Sequence, residues 1–198
     1  MTYQRPAYEE VAIAHGGSTL TLRPTLRAAA TLEARYSFPA LFRALDECDF
    51  TIVSDIILTC STSRQDAVAF LGAGTGRPLS PFFRSVQAPL YQLVSMLTPA
   101  PAPNAKPVTN TGKPLPWAEY YAALFEHATG WLNWSPETAW NSTPTEIDRA
   151  YAGHISKLKA VHGSSEEDEK QAATPEPDAS FDRNGLEALR SNIQRHGR

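Results

Sequence analysis

Histidine and hydroxyl side chains are the groups in this 198-residue chain that could act as ligands, bases or nucleophiles. No two histidines form a His-x-x-x-His or His-Glu-x-x-His pair, the spacing with which a helix holds zinc. Ser61-Thr62-Ser63 is rich in hydroxyl groups, but no base is identifiable beside it, and a turn or helix cap explains the run. We therefore expect no catalytic residue, no metal site and no enzyme activity. The histidines are His15, His127, His154, His162 and His196.

Glycines and cysteines also give no sign of a bound cofactor. Residues 72–76 read Gly-Ala-Gly-Thr-Gly, but they lack the Gly-Lys-Ser/Thr of a phosphate loop, and no strand clearly precedes them. A helix end followed by a turn explains these glycines. Cys48 and Cys60 do not form a Cys-x-x-Cys pair, so we expect reduced, buried thiols in an intracellular protein.

Composition limits the classes of partner. The net charge of −3 is too close to neutral for a nucleic-acid coat, and 42% hydrophobic residues are enough for a modest core. No apolar stretch approaches the roughly 18–20 residues that cross a bilayer. The polar residues 1–10 do not resemble a signal peptide. We expect neither a nucleic-acid nor a membrane partner.

The first half of the chain predicts a small β-hairpin followed by helices, a mainly α fold of the α+β class. Apolar residues alternate on both sides of Gly16-Gly17, which supplies the positive φ angles of a tight turn. Residues 52–58 fit a helix or a β-branched strand, and we favour the helix because Ser54-Asp55 would lie on one exposed face. Helices are predicted at 26–36 with Thr25 as the cap, from Pro39, from Asp49 or Phe50, and at 63–71.

Residues 78–97 predict a further helix with a broad apolar stripe, which Pro89 should kink or split. Two interpretations of the stripe stay open, since it could cover the core or form a self-association or partner face. We assign its members to a face for self-association or for a client protein. They are Phe82, Phe83, Val86, Leu90 and Leu93.

Residues 99–116 are rich in proline without hydrophobic periodicity, which is typical of a semi-rigid linker. A helix over 117–132, a short turn at 136–140 and a helix over 144–161 should then form an aromatic helical hairpin. Thr143-Pro144-Thr145-Glu146 is a capping box that starts the last helix. Its aromatic residues could pack locally or contact a client. The candidates for contact are Trp117, Tyr121, Trp131, Trp134 and Trp140.

These patterns divide the chain into five segments. Residues 164–180 hold six acidic residues against one lysine, a composition typical of disorder, and the basic residues 181–198 are weakly helical. The predicted segments are a hairpin-plus-helices module for oligomerisation (1–98), the linker (99–116), the aromatic module (117–162), the acidic segment (163–180) and the basic tail (181–198).

Two parts of the chain resemble tail assembly chaperones of long-tailed bacteriophages and gene transfer agents. In residues 11–71 the resemblance rests on the Gly-Gly hairpin, on Leu22-Arg23-Pro24-Thr25-Leu26-Arg27, and on Leu32-Glu33-Ala34-Arg35-Tyr36. Residues 57–61 there lack the glycine of the family's Leu-x-x-Gly-Leu segment. In residues 117–158 it rests on Gly130-Trp131-Leu132-Asn133-Trp134-Ser135-Pro136 and on Trp140 before Thr143-Pro144-Thr145-Glu146. Here Asn133 replaces the signature's glycine and Ala139 its aromatic.

The resemblance implies a fused long form of such a chaperone. Its first part would self-associate along the nascent tape measure protein, and its extension would engage the tail tube protein. The protein would then work in the bacterial host cytoplasm and be absent from the mature virion. Two other classes stay open: a structural virion component, such as a minor tail or head–tail connector protein, and a non-phage α-helical adaptor.

Overall fold

The computed structural model describes residues 9–72, 76, 78–100 and 115–162. The chain divides into two units, Met1–Ile155 and Ser156–Arg198, and the described part of the second unit is helical. The predicted fold class is confirmed, because the described residues are mainly helical with one small antiparallel hairpin. Most of the predicted linker, the acidic segment and the basic tail lie outside the described residues.

The hairpin pairs strand β1 (Val11–His15) with strand β2 (Ser18–Leu22). Gly16 and Gly17 form its turn with φ values of 61° and 83°, a region that glycine enters without a steric penalty. The alternation predicted from sequence sets the buried face, on which Ile13 is fully inaccessible. A two-stranded hairpin is marginal by itself, and here β1 packs on the long helix α5.

Four helices follow the hairpin: α1 (Leu26–Tyr36), α2 (Phe38–Asp46), α3 (Phe50–Cys60) and α4 (Arg64–Gly72). The Thr25 hydroxyl accepts the Ala28 N–H at the start of α1, as the sequence predicted. Asp49 accepts two backbone N–H groups at the start of α3, at 2.9 and 3.2 Å. The helical interpretation of residues 52–58 is therefore confirmed and the strand alternative is wrong.

Helix α5 (Leu79–Met96) runs through Pro89 without being split. Proline removes one backbone hydrogen bond from a helix interior. Val86 and Leu90, on either side of Pro89, are both fully buried, and this burial offsets the lost bond.

The described C-terminal part contains α6 (Trp117–Glu126), a π-helical turn (His127–Trp131), α7 (Pro136–Asn141) and α8 (Pro144–His162). The Ser135 hydroxyl caps α7 by accepting the Thr138 N–H at 3.1 Å. The predicted capping box is also present. Glu146 accepts the Thr143 N–H at 2.8 Å, and the Thr143 hydroxyl accepts the Glu146 N–H at 3.2 Å.

Residues 117–155 belong to the same unit as the hairpin and the first five helices, so the predicted boundary between modules does not separate two packing units. Helix α1 packs on both α6 and α7, and Tyr121 and Leu124 join the core formed by the first half of the chain. Ala100, which was assigned to the linker, is buried. The reason is that α6 has an apolar face of its own, and α1 covers it.

Candidate interaction surface

The predicted partner face on α5 is buried inside the chain. Val86, Leu90 and Leu93 are fully inaccessible, while Phe82 is 4% exposed and Phe83 is 6% exposed. Strand β1 and helix α2 pack against α5, so the apolar stripe is covered by the chain's own elements. The assignment of these five residues to an exposed partner face is therefore corrected to a core role.

The five aromatic candidates of the second half divide into three groups by exposure. Tyr121 is a core residue with 2% of its surface accessible. Trp134 and Trp140 are half-buried and pack against the core. Trp117 is 38% exposed and Trp131 is 52% exposed, so these two are the indole rings available to a partner.

Trp131 lies at the end of the π-helical turn, beside two other aromatic rings. The imidazole of His127 stacks on the Tyr151 ring with centroids 4.0 Å apart and planes 3° from parallel. The Tyr151 ring also meets Trp131 edge-on at 6.2 Å. This small aromatic cluster supports the exposed indole from one side. A rigid aromatic that is supported but solvent-exposed is typical of binding hot spots.

The turn that presents Trp131 differs from the straight helix predicted over 117–132. The Leu132 N–H donates to the His127 carbonyl at 3.1 Å, and the Trp134 N–H reaches back to the Ala128 carbonyl at 2.9 Å. Between them Asn133 has a φ of 55°, in the left-handed region. Asparagine and glycine are the residues that enter this region most readily. The backbone therefore explains how asparagine can stand where the resembled signature has glycine.

A groove of about 410 Å³ borders Trp117. Its walls are largely apolar, and the Trp117 ring meets Phe38 of α2 edge-on at 4.8 Å. Burial, together with the negative charge of Asp148, raises the pKa of Tyr120 to about 12. The groove is lined by Thr98, Pro99, Leu115, Trp117 and Tyr120.

A second pocket, of about 440 Å³, lies between α1 and Trp140. The Arg27 guanidinium stands 5.9 Å from the centre of the Trp140 ring and 4.0 Å from Glu137. Trp140 in turn stacks on Phe125 with centroids 4.9 Å apart. The Trp140 ring thus joins α7 to α6 and to α1, which is a packing role.

An ion pair connects the two halves of the chain at this side of the molecule. One Arg23 nitrogen donates to both carboxylate oxygens of Glu146 at 2.8 Å, and the two side chains are only 16% and 17% exposed. The Leu26 N–H donates to the Ser142 carbonyl at 2.7 Å. Sequence reasoning found Glu146 as a helix cap but missed Arg23 as its partner, because the two residues are 123 positions apart.

Within the described ranges, the serine hydroxyls of residues 61–63 and the Cys60 thiol take part in turns, caps or the core. Ser61 and Ser63 form a turn, and the Ser63 hydroxyl accepts the Asp66 N–H at the start of α4, as predicted. Burial raises the pKa of the Cys60 thiol to about 12. Cys48 is exposed, which corrects the expectation of two buried thiols. Among the described residues no group of three His, Cys, Asp or Glu side chains is arranged to hold a metal ion.

In the same part of the chain, no helix combines the length and apolarity needed to cross a membrane. No protein-family model, curated protein or solved structure matches the chain. The resemblance to tail assembly chaperones therefore stays a prediction.

Proposed function

We propose that this protein is a non-catalytic tail assembly chaperone of a long-tailed bacteriophage or a gene transfer agent. It would bind and solubilise the tape measure protein and recruit tail tube subunits in the bacterial cytoplasm, and it would be absent from the finished virion. The proposal rests on the resemblance carried by residues 11–71 and 117–158. The observation that adds most to it is the exposure of Trp131 within the more specific of these two segments.

Exposed tryptophan is costly to keep in water, and it contributes strongly when a partner buries it. Trp131 combines exposure with support from His127 and Tyr151, so its position is ordered before binding. Ordering in advance lowers the entropy cost of association. We assign this cluster to the tail tube subunit, because the resemblance gives that client to the second half of the chain.

The test is co-expression with candidate tape measure and tail tube proteins, followed by pull-down on the tagged chaperone. Trp131→Ala should weaken capture of the tube protein at least about tenfold, since hot-spot tryptophans contribute about 2 kcal/mol or more. Solubility of the tape measure should stay unchanged. Val68→Ala is the matched control, because Val68 is 56% exposed and lies on α4.

Point variants test the role of Trp131 more specifically than deletion of residues 117–198 would. A deletion would also remove Tyr121 and Leu124 from the shared core and uncover apolar surface, so a loss of capture could not be assigned to one site. Wild-type capture of the tube protein by Trp131→Ala would refute the assignment of the cluster. Stoichiometric presence of the chain in purified particles would favour a structural virion component instead.

A further inference from the structure

Helix α1 has one side against which the second half of the chain packs. We name residues 117–147 the cover, since they lie over α1 through α6 and α7. Three residues of α1 mark the covered side. The Leu26 N–H donates to the Ser142 carbonyl, and Arg27 and Ala30 line the pocket with Trp140. They follow helical spacing, so they share one face.

The contact between the cover and the rest of the chain combines apolar side chains, such as Tyr121 and Leu124, with buried polar groups. Among the described residues, four polar or charged residues are buried, and three of them lie at the junction of α7 and α8: Ser142, Thr143 and Thr145. Thr145 accepts the Ala100 N–H at 3.1 Å, and Tyr121 donates to the Leu97 carbonyl at 3.1 Å. Polar contacts of this kind fix geometry but add little net stability.

The Arg23–Glu146 pair is the strongest polar link in this contact. One guanidinium nitrogen contacts both carboxylate oxygens at about one-sixth exposure, and this charge-assisted contact fixes the relative position of the two side chains. Its desolvation cost consumes much of the attraction, so it adds less net stability than apolar packing of similar area. Opening the cover would expose the apolar side chains of Tyr121 and Leu124 together with the α1 face, so a helix that buries this face again would be favoured.

We propose that the cover is a releasable strap, that Arg23–Glu146 is its latch, and that an amphipathic client helix takes its place on α1. The apolar residues of the cover that reach the core indicate which side-chain spacing a client helix needs in order to bind the α1 face. Tyr121, Leu124 and Ala128 stand at positions i, i+3 and i+7, so a client helix with this spacing would compete for the face. This inference rests on the proposed function, and it supplies a tape measure site in place of the buried α5 stripe.

The test uses Glu146→Gln in the full chain. Glutamine can still accept the Thr143 N–H, so the capping box is kept while the carboxylate 2.8 Å from Arg23 is neutralised. Glu10, 3.9 Å from Arg23, keeps its charge. Hydrogen exchange of the amides in α1 and in the cover should accelerate about tenfold, whereas exchange in β1 and α5 should not change. Glu119→Gln is the matched control, because Glu119 is an exposed first-turn glutamate of α6.

Binding is read with a labelled peptide of residues 115–132, the cover's own first helix. Affinity falls in proportion to the fraction of open molecules, so Glu146→Gln should bind the peptide about tenfold more tightly than the wild type. The same peptide carrying Tyr121→Glu and Leu124→Glu should not bind. Arg23→Lys, which keeps the positive charge but loses the Nε–H that donates to the Asn141 carbonyl at 3.4 Å, should fall between the wild type and Glu146→Gln.

Two results would overturn the strap. One is an equal acceleration of exchange throughout Glu146→Gln, which would mean general destabilisation. The other is local opening with no gain in peptide affinity. Neither hydrogen exchange nor peptide binding uses a phage protein. Failure of the wild type to solubilise any tape measure protein would therefore contradict the proposed function without contradicting the strap.

Discussion

Tyr121→Phe tests whether the second half of the chain is part of one folded core. Tyr121 is 2% exposed, and its hydroxyl donates to the Leu97 carbonyl at 3.1 Å. Leu97 directly follows α5, where helix carbonyls lack partners within the helix. Phenylalanine keeps the ring but leaves that carbonyl unsatisfied. We expect a loss of about 1–2 kcal/mol from the free energy of unfolding.

The assay is urea denaturation followed by two probes. All four tryptophans lie between residues 117 and 140, so fluorescence reports on the cover, while far-ultraviolet circular dichroism reports on the helices of the whole chain. Because α1 and α6 share a core, both midpoints should shift together with an unchanged m-value. Tyr120→Phe, on the same helix but half-buried, should change stability by less than about 0.5 kcal/mol.

Two outcomes would refute this reasoning. No loss of stability in Tyr121→Phe would mean that the hydroxyl contributes nothing to joining α6 to α5. A fluorescence midpoint that moves while the circular dichroism midpoint stays fixed would mean that the cover unfolds by itself. The second outcome would restore the two separate modules that the sequence predicted.

Three further predictions concern stability and are checked by urea denaturation. Leu90→Ala should cost about 2–5 kcal/mol, because Leu90 is fully buried; a loss below 1 kcal/mol would contradict its core role. Hydrogen bonds from Tyr36 and Arg35 lower the pKa of Asp55, so the stability that Asp55→Asn loses at pH 7 should shrink as pH falls below about 4. Burial raises the pKa of Tyr120 to about 12, so the wild type should lose stability faster than Tyr120→Phe between about pH 10 and 12, and parallel curves would contradict this.

Asp55 should lose its contribution to stability in acid and Tyr120 in alkali, because the folded state favours the charged form of one and the neutral form of the other. The folded state favours the charged form of Asp55, so its contribution is present above the unfolded pKa and disappears in acid. The folded state favours the neutral form of Tyr120, so its contribution is present below the unfolded pKa and disappears in alkali. An Asp55→Asn difference that persisted unchanged at pH 2 would contradict the assignment of the carboxylate.

The proposed chaperone role and the proposed strap depend on different residues. Trp131 acts on an exposed surface, whereas Glu146 acts on a contact inside the first unit. Trp131→Ala shortens an exposed side chain and should therefore leave the opening of the cover unchanged. Combining Trp131→Ala with Glu146→Gln should give additive effects on tube capture and on peptide binding.

Local features of the fold were decided by the sequence alone. The turn at Gly16-Gly17, the cap at Thr25, the start of α3 at Phe50, and the Thr143–Glu146 capping box were all predicted and are all present. Each depends on groups within about four positions of one another, so neighbouring residue types are sufficient to specify it.

Tertiary structure decided which apolar surfaces are covered. Hydrophobic periodicity predicted an apolar stripe on α5, but only the packed hairpin shows that Leu90 is core. The same segment of sequence holds buried Tyr121 and exposed Trp131, and no local pattern distinguishes them. Arg23 and Glu146 meet only when α8 begins beside the hairpin. The physical reason is that burial is non-directional: a sequence shows that a face is apolar, and the fold determines what covers it.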